Sequence, residues 1–159
     1  MIASILIIIV LVFIQFSGFV GPNCIDKSFG QYLTRSFLHQ DLNHLSTNIF
    51  SLWNLLELEK EFKTSKFIMI VLFLLFASAG IHFIMDKVTG NKNCAIGFSG
   101  VLYGMIVFQI MLNGLDIYRA GELLLLILLP SLTRSNISVS GHLSGAIAGL
   151  LAGILFNKI

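Results

Sequence analysis

Three short stretches of this chain hold residues that can move a proton or form a bond. The first is Gly97-Phe98-Ser99-Gly100, with Tyr103 one helical turn beyond Ser99. A serine between glycines at a helix start has open backbone around its hydroxyl. Its own amide N–H, among the first of the helix, is placed to bind an anion. The second is Gly141-His142-Leu143-Ser144-Gly145, which offers a base at the top of the last apolar segment. The third runs from His39 to Asn48, with His44 and Asn48 four residues apart. On a helix those two share a face, and both can donate the hydrogen bonds that a developing oxyanion needs. A nucleophile, a base and two donors are the parts of acyl transfer. Each stretch also has a plainer reading. His44 and Asn48 could be polar glue between helices, and Gly-x-Ser-Gly could be a packing stripe.

Positioning these groups falls to glycine. Gly141, Gly145, Gly149 and Gly153 make an unbroken i, i+4 seam, and Gly100 and Gly104 make a second. Two such seams let helices meet backbone to backbone. If they meet each other, His142 is carried toward Ser99 and Tyr103.

The remaining sequence says where this happens. Of 159 residues, 56% are hydrophobic and only 11% charged, against roughly 25% charged in a soluble domain. The mean hydropathy is +0.90. A membrane span takes about 20 apolar residues, so there is room for about six short ones. Hydropathy and helix breakers place them near 2–20, 42–58, 66–85, 95–112, 118–132 and 138–156, as one domain over 1–159 without repeats or linkers. The second is weak, because it carries His44, Asn48 and Asn54. The fifth is the shortest, confined by Glu122 and Pro130. The first is read as a retained span and not a signal peptide, since no basic residue precedes it and no small-x-small site clearly ends it. The expected fold is an all-α polytopic membrane bundle of six helices. A formal charge of +2 and the lack of a basic run exclude nucleic acid as a partner. Lysines and arginines divide evenly between the two sides, so charge does not orient the chain. Cys24 and Cys94 are too few for a disulfide framework or a zinc site, and no cofactor or metal is expected.

Taken together and in order, His-x4-His-x3-Asn, Gly-x-Ser-Gly-x3-Tyr and Gly-His-x2-Gly-x3-Gly resemble the rhomboid family of intramembrane serine proteases. The resemblance runs from His39 to Gly153. It implies a six-span core and a Ser99–His142 dyad without a third, acidic member. His44, Asn48 and the Ser99 amide would form the oxyanion hole. Tyr103 would support the His142 ring by stacking, and His39 would brace the loop before the second span. Gly97, Gly100, Gly145 and Gly149 would be packing positions. The partners implied are the lipid bilayer and transmembrane protein substrates. The short fifth span, with Pro130 beyond its leucines, is expected to act as a moving gate. The family's topology puts the amino terminus inside, which leaves Cys24 and Cys94 on the outer side where a disulfide is permitted. The sequon Asn136-Ile137-Ser138 would then also face outward.

The pattern departs from the family after the second span. Leu56 stands near a position where the family has glycine, and Glu59 falls one residue short of the family's glutamate. Glu59 therefore carries no assigned role. The nearest rival is a catalytically inactive rhomboid-like protein that binds membrane clients. The retained serine, histidine and oxyanion pair count against it. A zinc protease would need His-Glu-x2-His, which is absent. An aspartyl type would need two carboxylates within spans, whereas Asp86 and Asp116 lie at ends. A small transporter would explain polar residues in spans, but not the matching registers of Ser99 and His142.

Overall fold

A computed structural model describes residues 1–18, 28–90, 95–118, 120–121 and 139–156. Most of the expected fifth span, together with Cys24, Cys94, Glu122, Pro130 and the Asn136 sequon, lies outside the described residues. The described part is helical, and no strand occurs among the described residues. The helices are α1 (Ile2–Phe16), α2 (Phe29–Arg35), α3 (Leu42–Asn54), α4 (Leu56–Thr89), α5 (Ser99–Asn113) and α6 (Val139–Phe156).

The distribution of polarity is inverted relative to a water-soluble bundle. Large apolar side chains such as Phe13, Phe76, Ile84 and Ile154 face outward, while Arg35, His39, Asn48, Glu59, His82 and Asp86 are buried. An exposed apolar surface on this scale calls for a lipid solvent, in which polar groups must find partners within the protein. Helices α4 and α6 are long and apolar enough to cross a membrane; α1 and α5 are shorter apolar helices. Leu52, Leu74, Leu102, Met105, Ile106 and Phe108 fill the centre, between α3, α4 and α5.

The second and third expected spans are divided differently from the hydropathy boundaries. Helix α3 stops at Asn54, and Leu55 turns the chain with its side chain fully buried. Residues 56–58 belong to α4 instead. There Leu56, Leu58 and Glu59 point inward while Glu57 and Lys60 face out. Lys63 then leaves helical geometry, with φ at 61° and ψ at 154°, and kinks α4 before its apolar run begins.

Glu59 has the role that sequence reasoning left open. Its carboxylate accepts the backbone N–H groups of Ala3 and Ser4, each at 2.9 Å, and the Ser4 hydroxyl at 2.8 Å. Thr64 donates to it from across the kink at 3.0 Å. The first N–H groups of a helix have no intrahelical partner and carry partial positive charge, so a carboxylate there serves both needs. Glu59 thus anchors the first turn of α1 to the root of α4. Glu59→Ala strands these buried donors and should cost about 1–3 kcal/mol of stability. Thermal unfolding in detergent measures it, and Glu59→Gln, which keeps an acceptor, should lose less.

Candidate active site

The helix carrying Ser99 and the helix carrying His142 pack at backbone distance. A Cβ added to Gly145 would run into the Gly100 carbonyl, and one added to Gly149 into the Gly104 carbonyl. From the other side, a Cβ on Gly104 would lie 3.1 Å from the Gly145 oxygen. The two glycine seams therefore face each other, and only residues without side chains fit between them.

That approach sets the register of the reactive groups. His142 Nε2 lies 3.2 Å from Ser99 Oγ, within reach for proton transfer between a hydroxyl and a neutral imidazole. Both residues are half-buried, so their shared edge is not sealed inside the core. The Tyr103 ring stacks on the His142 ring, with centroids 4.3 Å apart and planes 18° from parallel. Tyr103 is itself buried and fixes the imidazole against α5.

The His39–Asn48 stretch is organised by its cap. Asp41 accepts the His44 N–H at 2.8 Å and so starts α3 with His44 in its first turn. The His44 ring lies against Gly97. A Cβ at Gly97 would sit 2.7 Å from both Cε1 and Nε2 of that ring. Gly97 also has φ at 115°, a conformation that L side chains rarely adopt, and its N–H donates to the Arg35 carbonyl at 3.0 Å. Its glycine is thus required by the His44 ring and by the turn into α5, and it stands apart from the seam of Gly100 and Gly104. Asn48 is almost fully buried and donates to the His44 carbonyl at 2.8 Å. An amide nitrogen carries two hydrogens, so one remains to be donated elsewhere.

His39 lies outside the spanning helices, in the loop before α3. It is buried, stands edge-on to the His44 ring at 5.2 Å, and its Nε2 faces the Phe98 N–H at 3.5 Å. It connects the loop to the residue preceding Ser99. Burial, and secondly the neighbouring His44, pushes its imidazole down to about 3.

Sequence reasoning passed over a second polar group in the bundle. His82 and Asp86 are one turn apart on α4, His82 within a segment read simply as hydrophobic and Asp86 read as its polar end, and both are buried. Tyr32 and Arg35 of α2, the latter treated only as a loop charge, are buried beside them. The signal was present, since an ionisable pair at i, i+4 in an apolar span is costly unless it has a use.

With this geometry in view, comparison with known proteins gives one answer. A family model described as the rhomboid domain matches residues 26–159. The chain belongs to the rhomboid family. A rhomboid-named protein of Acanthamoeba polyphaga mimivirus is 32% identical over 153 residues, covering 96% of this chain and 88% of the relative. Rhomboid-like protein 15 of Arabidopsis thaliana is 27% identical over 146 residues, covering 78% of this chain and 36% of the relative. Neither name states an activity. Rhomboids are embedded in membranes, in keeping with the inverted polarity of this bundle.

Two outcomes follow for the packing and the loop. Gly145→Ala should destabilise this rhomboid by about 1–3 kcal/mol, because the methyl group overpacks against a carbonyl that cannot move freely. Gly30→Ala, whose Cβ would meet open space, should be close to neutral in the same unfolding assay. For His39, the folded state holds fewer protons than the unfolded state between pH 6.5 and about 3. Its contribution to stability is complete above pH 6.5 and is lost as pH falls toward 3. The thermal midpoint should therefore drop on acidification through this window, and less steeply in His39→Gln.

Proposed function

We propose that this rhomboid is an intramembrane serine endopeptidase that crosses the bilayer several times and cleaves membrane-protein substrates through Ser99 and His142. The observation that carries this reading is the 3.2 Å approach of His142 Nε2 to Ser99 Oγ, with the imidazole held flat against Tyr103.

The chemistry follows from those positions. His142 takes the Ser99 proton as the hydroxyl oxygen attacks a substrate carbonyl, and then gives that proton to the leaving amine. The negative charge on the carbonyl oxygen is met by the Ser99 N–H, which as the first of α5 has no intrahelical acceptor. The remaining N–H of Asn48 and the ring of His44, which stands against Gly97, supply further donors on that side. Water then enters from the half-exposed edge and, activated by His142, releases the acyl group. No acidic residue is needed to orient His142, because stacking on Tyr103 performs that task. The substrate class implied is a transmembrane segment that unwinds locally and presents a peptide bond at the start of α5.

A fluorophosphonate probe should label the detergent-purified protein at Ser99. Ser99→Ala should lose both labelling and cleavage of a single-span reporter, and His142→Ala should lose labelling. Asn48→Ala should lower the cleavage rate by about 10²-fold, the usual cost of one oxyanion donor. Cleavage by the Ser99→Ala variant would sink the assignment. A parent that binds the reporter but neither labels nor cuts is a client-binding rhomboid.

A further inference from the structure

The polar group on α4 touches the helix that carries His142. Ser140 Oγ lies 3.1 Å from His82 Nε2, two residues before His142 and in the first turn of α6. The same ring nitrogen lies 3.4 Å from Asp86 Oδ2. Tyr32 donates its hydroxyl to that carboxylate oxygen at 3.1 Å, and its ring stands edge-on to His82 with centroids 5.0 Å apart. Arg35 lies over the Tyr32 ring, 5.1 Å from its centroid, while the Arg35 carbonyl accepts the Gly97 N–H at 3.0 Å. One continuous set of contacts thus runs from the loop helix α2 through α4 to the start of α6, and back through Arg35 to the turn before Ser99.

We propose that His82, held by Asp86 and Tyr32, is a positioning residue that pins Ser140 and so fixes the first turn of α6, keeping the His142 ring in register with Ser99. This rests on the reading of Ser99 and His142 as the reactive pair.

The tie acts on a stretch of α6 with low helix propensity. Its residues Val139, Ser140 and Gly141 are poor helix formers, glycine most of all. Below it, the glycine seam holds α6 from Gly145 onward, and Ser144 spends its hydroxyl on the Gly141 carbonyl at 2.7 Å. His142 sits between the firm seam and the weak turn. A shift of this turn would carry its ring away from Ser99, and misplacements of about 1 Å can cost on the order of 10² in rate.

The donor pattern suits the task. A carboxylate and a hydroxyl oxygen face the same ring nitrogen, so the proton belongs on His82 Nε2, where Asp86 Oδ2 and Ser140 Oγ share it. The other tautomer would set a lone pair against the carboxylate. Asp86 therefore selects the form of His82 that donates to Ser140, and Tyr32 fixes Asp86 from the loop. None of these residues reaches the Ser99 hydroxyl. Their effect passes through α6.

The test uses the full-length protein in detergent and three variants. Ser140→Ala and His82→Leu should each lower kcat for a single-span reporter by about tenfold, near the worth of one buried hydrogen bond, with KM unchanged. His82→Gln, whose amide still donates, should stay within about threefold of the parent. Amide hydrogen exchange over residues 143–146 should quicken in Ser140→Ala and His82→Leu but not in His82→Gln. Parental kcat and exchange in Ser140→Ala, or equal losses in the Gln and Leu variants, would overturn the positioning role. The two readings fail separately. A parent that fluorophosphonate does not label at Ser99 defeats the protease assignment, and the exchange rates still decide whether His82 pins α6.

Discussion

The contact between α5 and α6 is the constraint on which the rest of this molecule depends. Two backbones meet where the carbonyls of Gly100 and Gly104 occupy the space that side chains at Gly145 and Gly149 would fill. In lipid there is little hydrophobic gain in bringing apolar helices together, so association rests on close packing and on polar contacts. Close packing here does more than hold helices. It makes the distance between Ser99 and His142 a property of two backbones instead of two flexible side chains. The Tyr103 stack then removes the remaining freedom of the imidazole.

Around that contact the buried polar groups are spent on connections between elements. Glu59 joins α4 to the start of α1, His39 joins the loop before α3 to Phe98, and Gly97 ties the turn before Ser99 to Arg35. Each links segments far apart in sequence, and each would be expensive to leave unpaired in a lipid solvent. The bundle is thus held by a few long-range polar ties laid over an apolar core. The candidate site lies where several of them converge.

Much of this was legible from residue types and spacing. The glycine seams predicted which helices meet, and the i, i+4 pairing of His44 and Asn48 put both on one side of α3. What escaped had physical reasons. The break at Leu55 and the kink at Lys63 involve neither glycine nor proline, so no local signal marks them. The α1 partners of Glu59 are more than fifty residues away, and spacing cannot announce a contact of that range. His82 was masked by the strong hydropathy around it. A span that satisfies every scale hides a single imidazole, although an ionisable side chain is costly to place there. Gly97 could be named only as a packing position, because its φ and its contact with His44 are visible only in three dimensions.

The tie between α1 and Glu59 also bears on how the chain is made. Ribosomes deliver the first turn of α1 long before Glu59, so during synthesis the N–H groups of Ala3 and Ser4 must rely on water or lipid headgroups. Only after α3 has been made and the chain has turned at Leu55 does their acceptor arrive. The first helix therefore waits for its acceptor until the root of α4, the fourth helix, is made. Docking of α1 can thus be completed only once every element up to the root of α4 has been made.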